Sequence, residues 1–270
     1  SPPEGIEILN ASVSQNVDKY IKFFYEKNQR NGYLHRDATR LVKNDRNIFS
    51  ACMLAMGDAD VMVTGVTRNY RQALEEITSV IKPLEGSEVF TISLLVKGGR
   101  SLFIADTMVN EMPSPEQMAN IAVQTADKVR KMGHYPRVAL LSFANFGNHH
   151  YSVKVERVRE AVRILDKMKV DFEYDGEMTA DVALNPDLMR LYPFCRLSGP
   201  ANVLIMPALH SANIASKMLQ QIGGGTTIDP ILVGLSKPVQ ILRIGASVSE
   251  IVNLTSLAAI DLIDKSIQAQ

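Results

Sequence analysis

The chain has 270 residues, which is enough for one large domain or two modest ones. Lysine plus arginine and aspartate plus glutamate number 29 each, and this zero net charge argues against a nucleic-acid-binding protein, which would carry a basic excess. No apolar run approaches the ~18 residues of a membrane helix, and the first ten residues lack the pattern of a secretory signal, so we expect no membrane association.

The N-terminal part of the chain predicts two helices, a strand and a third helix. Apolar residues at helical spacing mark one helix within 12–28 and a second from about 36 to 56, which Gly57 would end. The short apolar run 61–63 predicts a buried strand. A further helix is expected over 73–81.

The next segment predicts a hairpin followed by a capped helix. Two β-rich runs, 91–96 and 101–105, flank the pair Gly98-Gly99, which is a strong hairpin signal. Asp106 follows directly and is either a cap at the strand end or a ligand-binding residue. Ser114, Pro115 and Gln117 form a capping box for a helix that runs to Gly133.

The middle of the chain predicts a strand, a loop, a helix and a second strand. Residues 137–142 are apolar without alternation, as in a parallel sheet, and lead into a loop over 144–151. Ser152 is expected to cap the following helix, and a strand over 170–174 leads to three carboxylates, Asp175, Glu177 and Asp181. These carboxylates belong either to a structural turn, which we prefer, or to an acid–base pair.

The stretch 196–247 carries the clearest strand–loop–helix unit. Residues 203–206 read as a buried strand that a proline stops, and the apolar residues Ile214, Met218 and Ile222 then follow at helical spacing. Glycines 223–225 predict the helix end, since the lysine and hydroxyl residue of a P-loop do not follow them. Such a unit is where α/β sheets bind anionic ligands, so His210 is either a contact for a ligand phosphate or a packed loop residue.

The two cysteines and the histidine pair indicate no metal or disulfide chemistry. Cys52 and Cys195 lie far apart in apolar or mixed contexts, which favours buried thiols in a reducing cytoplasm. His149 and His150 are adjacent, so they do not face one site, and no ligand lies at metal-site spacing from them. The alternation of strands and helices predicts an α/β protein of three α/β/α layers.

Several motifs, in order along nearly the whole chain, resemble those of phosphotransacetylases, which exchange acetyl groups between coenzyme A and phosphate. They are GDADVMVTG (57–65), FIADTMVN (103–110), LLSFANFGN (140–148), DGEM (175–178) and SGPANVLIMP (198–207). The resemblance continues through Asn213, Ile214, Lys217 and the run DPILVGLSKPV (229–239).

The resemblance implies two lobes with a cleft between them, built on a sheet like that of isocitrate and isopropylmalate dehydrogenases. Lobe one would comprise residues 1–133 and 237–270, and lobe two would be the inserted residues 134–236. The strand–helix–strand unit that usually precedes the segment GIEILN (5–10) in the family is not found, so the first strands of lobe one are expected to be missing. The family also implies a homo-oligomer, a dimer or a larger assembly.

The positions that carry the family's chemistry are changed. Where the family has a catalytic Ser, Arg and Asp, this chain has Arg243, Ile244 and Glu250. Isoleucine has neither a charge nor a hydrogen-bond donor, so it cannot hold a phosphate or polarise a thioester. Arg243 at this position either pairs with Glu250 or meets a ligand.

Two further departures affect the phosphate site. Phe146 replaces a family lysine, and Glu75 falls where an ungapped count places a family arginine. A carboxylate there would repel phosphate. Arg68 and Arg71 are possible phosphate contacts only if the loop is rebuilt.

A phosphotransacetylase-like chain without this chemistry resembles the C-terminal domain of large bacterial NADP-dependent malic enzymes. That resemblance implies a regulatory domain that binds acetyl-CoA, inhibits the fused malic enzyme of central carbon metabolism (malate to pyruvate and CO2), and mediates oligomerisation. The alternatives are an active acyltransferase that uses substitute arginines and a ligand-free oligomerisation scaffold.

The cofactor and ligand expectations follow from the same resemblance. The domain itself would hold no cofactor or metal, whereas the parent enzyme would use NADP and a divalent metal. The candidates for contact with acetyl-CoA or coenzyme A are Asn145, Phe146, Gly147, Asn148, His210, Asn213, Lys217, Arg243 and Ser247.

Overall fold

The computed structural model describes residues 3–147 and 152–268. The chain forms two compact units, residues 1–84 with 235–270 (unit 1) and residues 85–234 (unit 2). The lobe boundary predicted after residue 133 differs from this division, in which residues 85–133 belong to unit 2. The physical reason is that the hairpin in this segment joins the sheet built by the later strands.

Unit 1 begins with helices. A short 3-10 turn, Ala11–Val13, precedes α1 (Val17–Asn28), and α2 (His35–Asn44) and α3 (Arg46–Met56) follow. The single helix expected over 36–56 is therefore two helices. The break lies at Asp45, whose backbone is extended and whose side chain accepts the amide protons of Asn47 and Ile48 at the start of α3.

The predicted end of α3 and the strand after it are confirmed. Gly57 adopts the left-handed conformation (φ 80°) that a helix C-terminus favours. β1 (Met62–Gly65) and α4 (Tyr70–Thr78) complete this part of the unit. Cys52 on α3 is buried, and burial raises the pKa of its thiol to about 12, whereas Cys195 in unit 2 is only partly buried.

Unit 2 opens with the predicted hairpin. β2 (Phe90–Lys97) and β3 (Arg100–Ala105) pair antiparallel, and Lys97 stands opposite Arg100. The two turn residues, Gly98 and Gly99, both have positive φ, as a tight hairpin turn requires. The capping box at Ser114 is also confirmed and begins α5 (Pro115–Lys131).

The remaining elements of unit 2 alternate between strands and helices. They are β4 (Arg137–Leu141), α6 (Val153–Met168), β5 (Glu173–Met178), α7 (Ala180–Leu184), α8 (Pro186–Met189), β6 (Val203–Ile205), α9 (Leu209–Gly223) and β7 (Thr226–Val233). Ser152 stands at the N-cap of α6 but makes no side-chain capping bond. Asp175 and Glu177 lie within β5, so the turn expected there is a strand.

The strands of unit 2 form a six-stranded sheet in the order β5-β4-β6-β3-β2-β7. β3, β6, β4 and β5 run parallel, and β2 runs antiparallel to both of its neighbours. Ile104, Ala139 and Leu204 pack with residues of α7 and α9 on one face. The alternate residues Phe103, Val138 and Val203 are buried too. They point to the opposite face, where α5 and α6 pack, so the predicted three layers are confirmed in unit 2.

The chain then returns to unit 1 with β8 (Val239–Leu242) and α10 (Val248–Gln268). β8 pairs parallel with β1, and Gly65 stands opposite Leu242. The two backbones approach so closely that a Cβ on Gly65 would lie 2.1 Å from the Leu242 carbonyl oxygen. Within the described residues, no helix is both long and apolar enough to cross a membrane.

The apolar stripe of α9 faces solvent, whereas its spacing predicts a face that packs on the core. Ile214, Met218 and Ile222 are 58%, 56% and 79% exposed on α9, although their spacing is that of a core-facing stripe. The sheet-facing side of α9 instead includes buried Ala212 and Ser216. The reason for this inverted orientation lies in the polar contacts described below.

Candidate functional site

Two loops of unit 1 leave the same edge of the β1–β8 pair. Because the strands are parallel, the segments after Gly65 and after Leu242 start side by side. The Val66 amide donates to the Leu242 carbonyl oxygen at 3.3 Å, and Val66 has a positive φ of 68°, which is rare for a β-branched residue. This edge brings Arg68 and Arg243, two predicted site residues, onto neighbouring loops.

The pairing of Arg243 with Glu250 is one of the two alternatives that the sequence left open, and the structure contains it. The Arg243 guanidinium contacts the Glu250 carboxylate through Nη2 and through Nε at 3.2 Å. The other Glu250 oxygen accepts the Ser247 amide at 2.7 Å and the Ser247 hydroxyl at 2.8 Å. Burial disfavours ionisation of Glu250, but the Ser247 amide and the Arg243 guanidinium outweigh it and lower the pKa of Glu250.

Ile244 extends into solvent beside this ion pair. Its side chain is 65% exposed and offers no donor or charge at the position where phosphotransacetylases have arginine. The loop therefore presents one guanidinium that is already neutralised and one apolar side chain. Oxyanion stabilisation requires donors that are directed at the developing charge, and here Nε and Nη2 of Arg243 are directed at Glu250.

Arg68 is held by carboxylates within unit 1. Its Nη1 contacts Asp45 and lies 2.7 Å from Glu76 Oε2, and the Asn47 amide donates to the same Glu76 oxygen at 2.6 Å. The hydrogen bond to Asp45, together with that to Glu76, raises the pKa of Arg68 against the opposing effect of burial. Two carboxylates thus neutralise this arginine within unit 1.

Arg71 lies in the first turn of α4 and points to solvent. Its Nε is 3.5 Å from Glu75 Oε1, and both side chains are largely exposed. Exposed ion pairs at this spacing are weak, about 0.3–0.5 kcal/mol.

In unit 2, three predicted site segments leave one edge of the sheet. The parallel strands β3, β6 and β4 are followed by Asp106, by the start of α9 and by Asn145. Asp106 is buried and accepts the backbone amides of Met108, Val109 and Asn110, together with the amide and hydroxyl of Thr91. Its carboxylate therefore organises the loop after β3, as the capping alternative proposed.

The loop after β4 is fixed to β5. Asn145 accepts the Thr179 amide at 2.7 Å, the Phe146 amide donates to the Glu177 carbonyl oxygen at 3.0 Å, and the Gly147 amide donates to Glu177 Oε1 at 2.9 Å. Arg159 donates to both oxygens of the same carboxylate, through Nε and Nη2, each at 2.9 Å. Burial opposes ionisation of Glu177, but Arg159 and the Gly147 amide lower its pKa.

Phe146 takes part in an aromatic cluster rather than a charged site. Its ring centroid lies 5.2 Å from the centroids of both Tyr192 and Phe194, and its own φ is positive at 40°. Asn148, His149 and His150 lie outside the described residues, so neither the ligand candidate Asn148 nor the histidine pair is placed.

α9 is attached to the sheet by polar side chains. The Asn213 amide donates to the Thr107 carbonyl oxygen at 3.2 Å, and Lys217 Nζ lies 3.3 Å from Oδ2 of the buried Asp229. Gln220 donates to the same Asp229 oxygen at 3.1 Å, and Ser93 contacts the other. His210 is exposed in the first turn of the helix. These contacts explain why the apolar stripe of α9 points outward.

The three carboxylates considered as an acid–base group have separate partners. Asp175 accepts the Arg196 amide at 2.8 Å, Glu177 binds Arg159, and Asp181 is exposed in the first turn of α7. Within residues 3–147 and 152–268, no group of three or more histidine, cysteine or acidic residues could hold a metal ion.

The acidic residues that neutralise the site cations were not predicted from the sequence. Asp45, Glu76 and Asp229 belong to this group, and their partners lie from 8 to 23 residues away in the chain. One signal was available, because Asp45 is a favoured N-cap residue inside the stretch read as a single helix. For Asp229, the pairing depends on how α9 lies on β7, which no local pattern specifies.

The known proteins similar to this chain include malic enzymes and phosphate acetyltransferases. The chain is 54% identical over 255 residues to an NADP-dependent malic enzyme of Rhizobium meliloti, covering 94% of this chain and 33% of that enzyme. It is also 32% identical over 259 residues to a phosphate acetyltransferase of Nitratidesulfovibrio vulgaris, covering 95% of this chain and 36% of that protein. The chain thus spans about a third of the length of these curated relatives.

Among solved structures, a phosphotransacetylase from Streptococcus pyogenes superposes with a TM-score of 0.88 at 30% sequence identity, covering 95% of this chain and 78% of that one. The predicted fold class is therefore confirmed. The family pattern of phosphate acetyl/butaryl transferase matches residues 2–259. The chain belongs to the phosphate acetyl/butaryl transferase family.

Proposed function

We propose that this chain is a regulatory domain that binds acetyl-CoA without transferring its acetyl group, and that it inhibits a malic enzyme region of the same polypeptide. The observation that carries the proposal is the loop 243–250. There the only guanidinium is neutralised by Glu250, and its neighbour Ile244 is apolar and exposed. Transfer to phosphate needs groups that stabilise charge in the transition state, and this loop offers none that is free.

The β1–α4 loop supports the same conclusion. Arg68 donates to two carboxylates of its own unit, so a phosphate ion would have to displace both to reach it. Arg71 pairs with Glu75, so this second cation is also engaged. A large ligand could bind this loop through many contacts other than Arg68. Tight binding of a small phosphate ion would depend on Arg68, which is already paired.

The candidate ligand residues lie on loops within each unit, taken separately. Arg243 and Ser247 follow β8 in unit 1. In unit 2, Asn145 and Gly147 follow β4, and His210 lies in the first turn of α9. Phe146 contributes an apolar ring in place of a charge. Asn213 and Lys217 are engaged in holding α9, so we assign them to placing the helix rather than to direct contact.

The malic enzyme region is inferred from the relatives. The Rhizobium relative is named an NADP-dependent malic enzyme, and this chain corresponds to 33% of it. Such a parent would use NADP and a divalent metal outside the present chain, in the cytoplasm. Acetyl-CoA would inhibit only if it binds the inhibited arrangement more tightly than the active one.

We also propose that α9 forms a homo-oligomer contact with a second copy. Its exposed apolar residues Ile214, Met218 and Ile222 lie on one side, and its single charged residue, Lys217, is turned toward Asp229. An uncharged face of this kind is self-complementary across a twofold axis. Ile222→Glu is expected to shift the assembly to a smaller species in light scattering, and an unchanged mass would remove α9 from the interface.

An active transferase is the second candidate, because two relatives named phosphate acetyltransferase match at 32% and 31% identity. The test of the main proposal is malate oxidation by the full-length parent enzyme during titration with acetyl-CoA. We expect saturable inhibition that the substitution Arg243→Ala weakens. Full activity at saturating acetyl-CoA would reject the regulatory function.

A further inference from the structure

The two oxygens of the Glu250 carboxylate have different partners. Oε1 accepts a hydrogen bond from Nε of Arg243 at 3.2 Å and also contacts Nη2 of the same guanidinium. Oε2 accepts the amide of Ser247 at 2.7 Å and its hydroxyl at 2.8 Å, and the Glu250 amide donates back to that hydroxyl oxygen at 3.2 Å. These reciprocal contacts with Ser247 form a capping box at the start of α10. One oxygen therefore holds the helix start, and the other holds the arginine.

This division allows the ion pair to open while the helix start stays in place. If the guanidinium turns away, Oε1 loses Arg243, but Oε2 keeps both of its contacts with Ser247. The Arg243 side chain is 32% exposed, so a solute can reach it. The turn after Arg243 is held by its backbone, since the Ala246 amide donates to the Arg243 carbonyl oxygen at 3.3 Å. The arginine side chain can thus change partners without a change in the fold of the loop.

The carboxylate determines which chemical group can take its place. Phosphate, like a carboxylate, brings a full negative charge and two oxygens that can accept parallel guanidinium hydrogen bonds. The carbonyl oxygen of a thioester brings one oxygen with a partial charge, so its attraction to Arg243 is too weak to displace Glu250. Of the groups that acetyl-CoA carries, the phosphates therefore match the site, and the acetyl thioester does not.

We propose that Glu250 is an internal competitor for Arg243, so that a phosphate of acetyl-CoA binds this arginine by displacing the Glu250 carboxylate; this inference rests on the proposed function. The contact is autoinhibitory, because Arg243 accepts the ligand only in the fraction of molecules in which the pair is open. The apparent Kd is raised in inverse proportion to that fraction. Glu250 thereby sets the acetyl-CoA concentration at which the domain responds.

The test is Glu250→Gln in the full-length parent enzyme. Glutamine is a regular residue at this position of a capping box, so the start of α10 should be retained while the charge that holds Arg243 is lost. We expect acetyl-CoA to bind at least about threefold more tightly in calorimetry, within the range that partly exposed ion pairs contribute. The acetyl-CoA concentration for half inhibition should fall by the same factor. Glu26→Gln removes the same charge from an exposed pair with Lys22 and should change neither value.

The substitution Arg243→Ala separates displacement from simple charge repulsion. Without the guanidinium there is no pair to open, so adding Glu250→Gln to Arg243→Ala should give little further gain in affinity. An equal gain in that background would show that Glu250 only repels the ligand phosphate, and would overturn the proposal. Unchanged or weaker binding by Glu250→Gln, beside normal binding by the unsubstituted enzyme, would also overturn it and would leave the proposed function standing.

The same titrations judge the proposed function separately. If Glu250→Gln binds acetyl-CoA more tightly but malate oxidation responds in neither protein, the regulatory function fails and the competition by Glu250 stands. The same holds if Glu250→Gln binds acetyl-CoA and the unsubstituted enzyme does not. If neither protein binds acetyl-CoA, both proposals fail.

Discussion

At the scale of single residues, the site differs from an active transferase through neutralised cations as much as through missing ones. Arg243 and Arg68 are both present, but Glu250 holds the first, and Asp45 with Glu76 holds the second. We therefore expect that replacing one residue does not restore acetyl transfer, because Arg243 and Arg68 are each engaged with carboxylates.

The double substitution Arg243→Ser and Ile244→Arg tests this interdependence. We expect no formation of acetyl phosphate from acetyl-CoA and phosphate, since Arg68 remains bound to its carboxylates and Phe146 still replaces a family lysine. The measurement is a coupled acetyl phosphate assay with an active phosphotransacetylase as the positive control. Clear turnover by the double variant would contradict the argument.

Glu177 gives a residue-scale prediction of pH dependence. Its folded pKa lies below the ordinary value of 4.5, so its stabilising effect is full above that pH and is lost as the pH falls through the folded pKa. Glu177→Gln should reduce the free energy of unfolding by about 2 kcal/mol at pH 7, since hydrogen bonds to a charged group contribute about 1.5–3 kcal/mol.

Denaturant unfolding at pH 7 and at progressively lower pH checks this expectation. The difference between Glu177→Gln and the unsubstituted chain should shrink below pH 4.5. Glu160→Gln, which removes an exposed carboxylate from the same neighbourhood, should change stability far less. A pH-independent difference for Glu177→Gln would show that its charge is not what stabilises the loop.

At the scale of elements, the β1–β8 pair sets the position of both unit 1 loops. Gly65 has φ 117°, and a Cβ there would meet the Leu242 carbonyl oxygen at 2.1 Å. Gly65→Ala must therefore push the strands apart, and we expect a loss of about 3 kcal/mol or more, in the range of overpacking and backbone strain combined.

Gly57→Ala is the matched control, because Gly57 also has positive φ but has no atom within 4 Å of its missing Cβ. That variant should lose only about 1 kcal/mol, the cost of a left-handed alanine. Thermal unfolding of both variants makes the comparison. Equal destabilisation would mean that φ, and not the approach of the two strands, explains the glycine at position 65.

The attachment of α9 gives the second element-scale prediction. Asp229→Asn removes the charge that Lys217 contacts but keeps an acceptor for Gln220. We expect a loss of about 1–2 kcal/mol and faster amide hydrogen exchange along α9, with β4 unaffected. Asn185→Asp, a comparable change at an exposed position of unit 2, should leave α9 exchange as it was. Unchanged exchange in Asp229→Asn would mean that apolar contacts hold the helix.

At the scale of the whole molecule, helices, strands and turns were predicted from the sequence better than the contacts that each element makes with distant residues. The Gly98-Gly99 hairpin and the Ser114 capping box were predictable because each depends on a few adjacent residues. The break at Asp45 and the outward stripe of α9 were not, because the first needs the cap geometry and the second needs the distant partner Asp229.

The candidate site shows the same division. The absence of a cation at position 244 could be read from the sequence, and the Arg243–Glu250 pair was one of two alternatives. The neutralisation of Arg68 could not be read, since Asp45 lies on α3 and Glu76 on α4, and both reach the arginine only in the folded unit.

The most direct test of the central claim is calorimetric titration of the protein with acetyl-CoA beside an acetyl phosphate assay on the same sample. We predict saturable binding with no turnover, because a domain can retain contacts for coenzyme A after losing its transition-state groups. Acetyl phosphate formation would contradict the account and return the chain to the transferases. Absence of both binding and turnover would contradict it too, and would leave an oligomerisation scaffold.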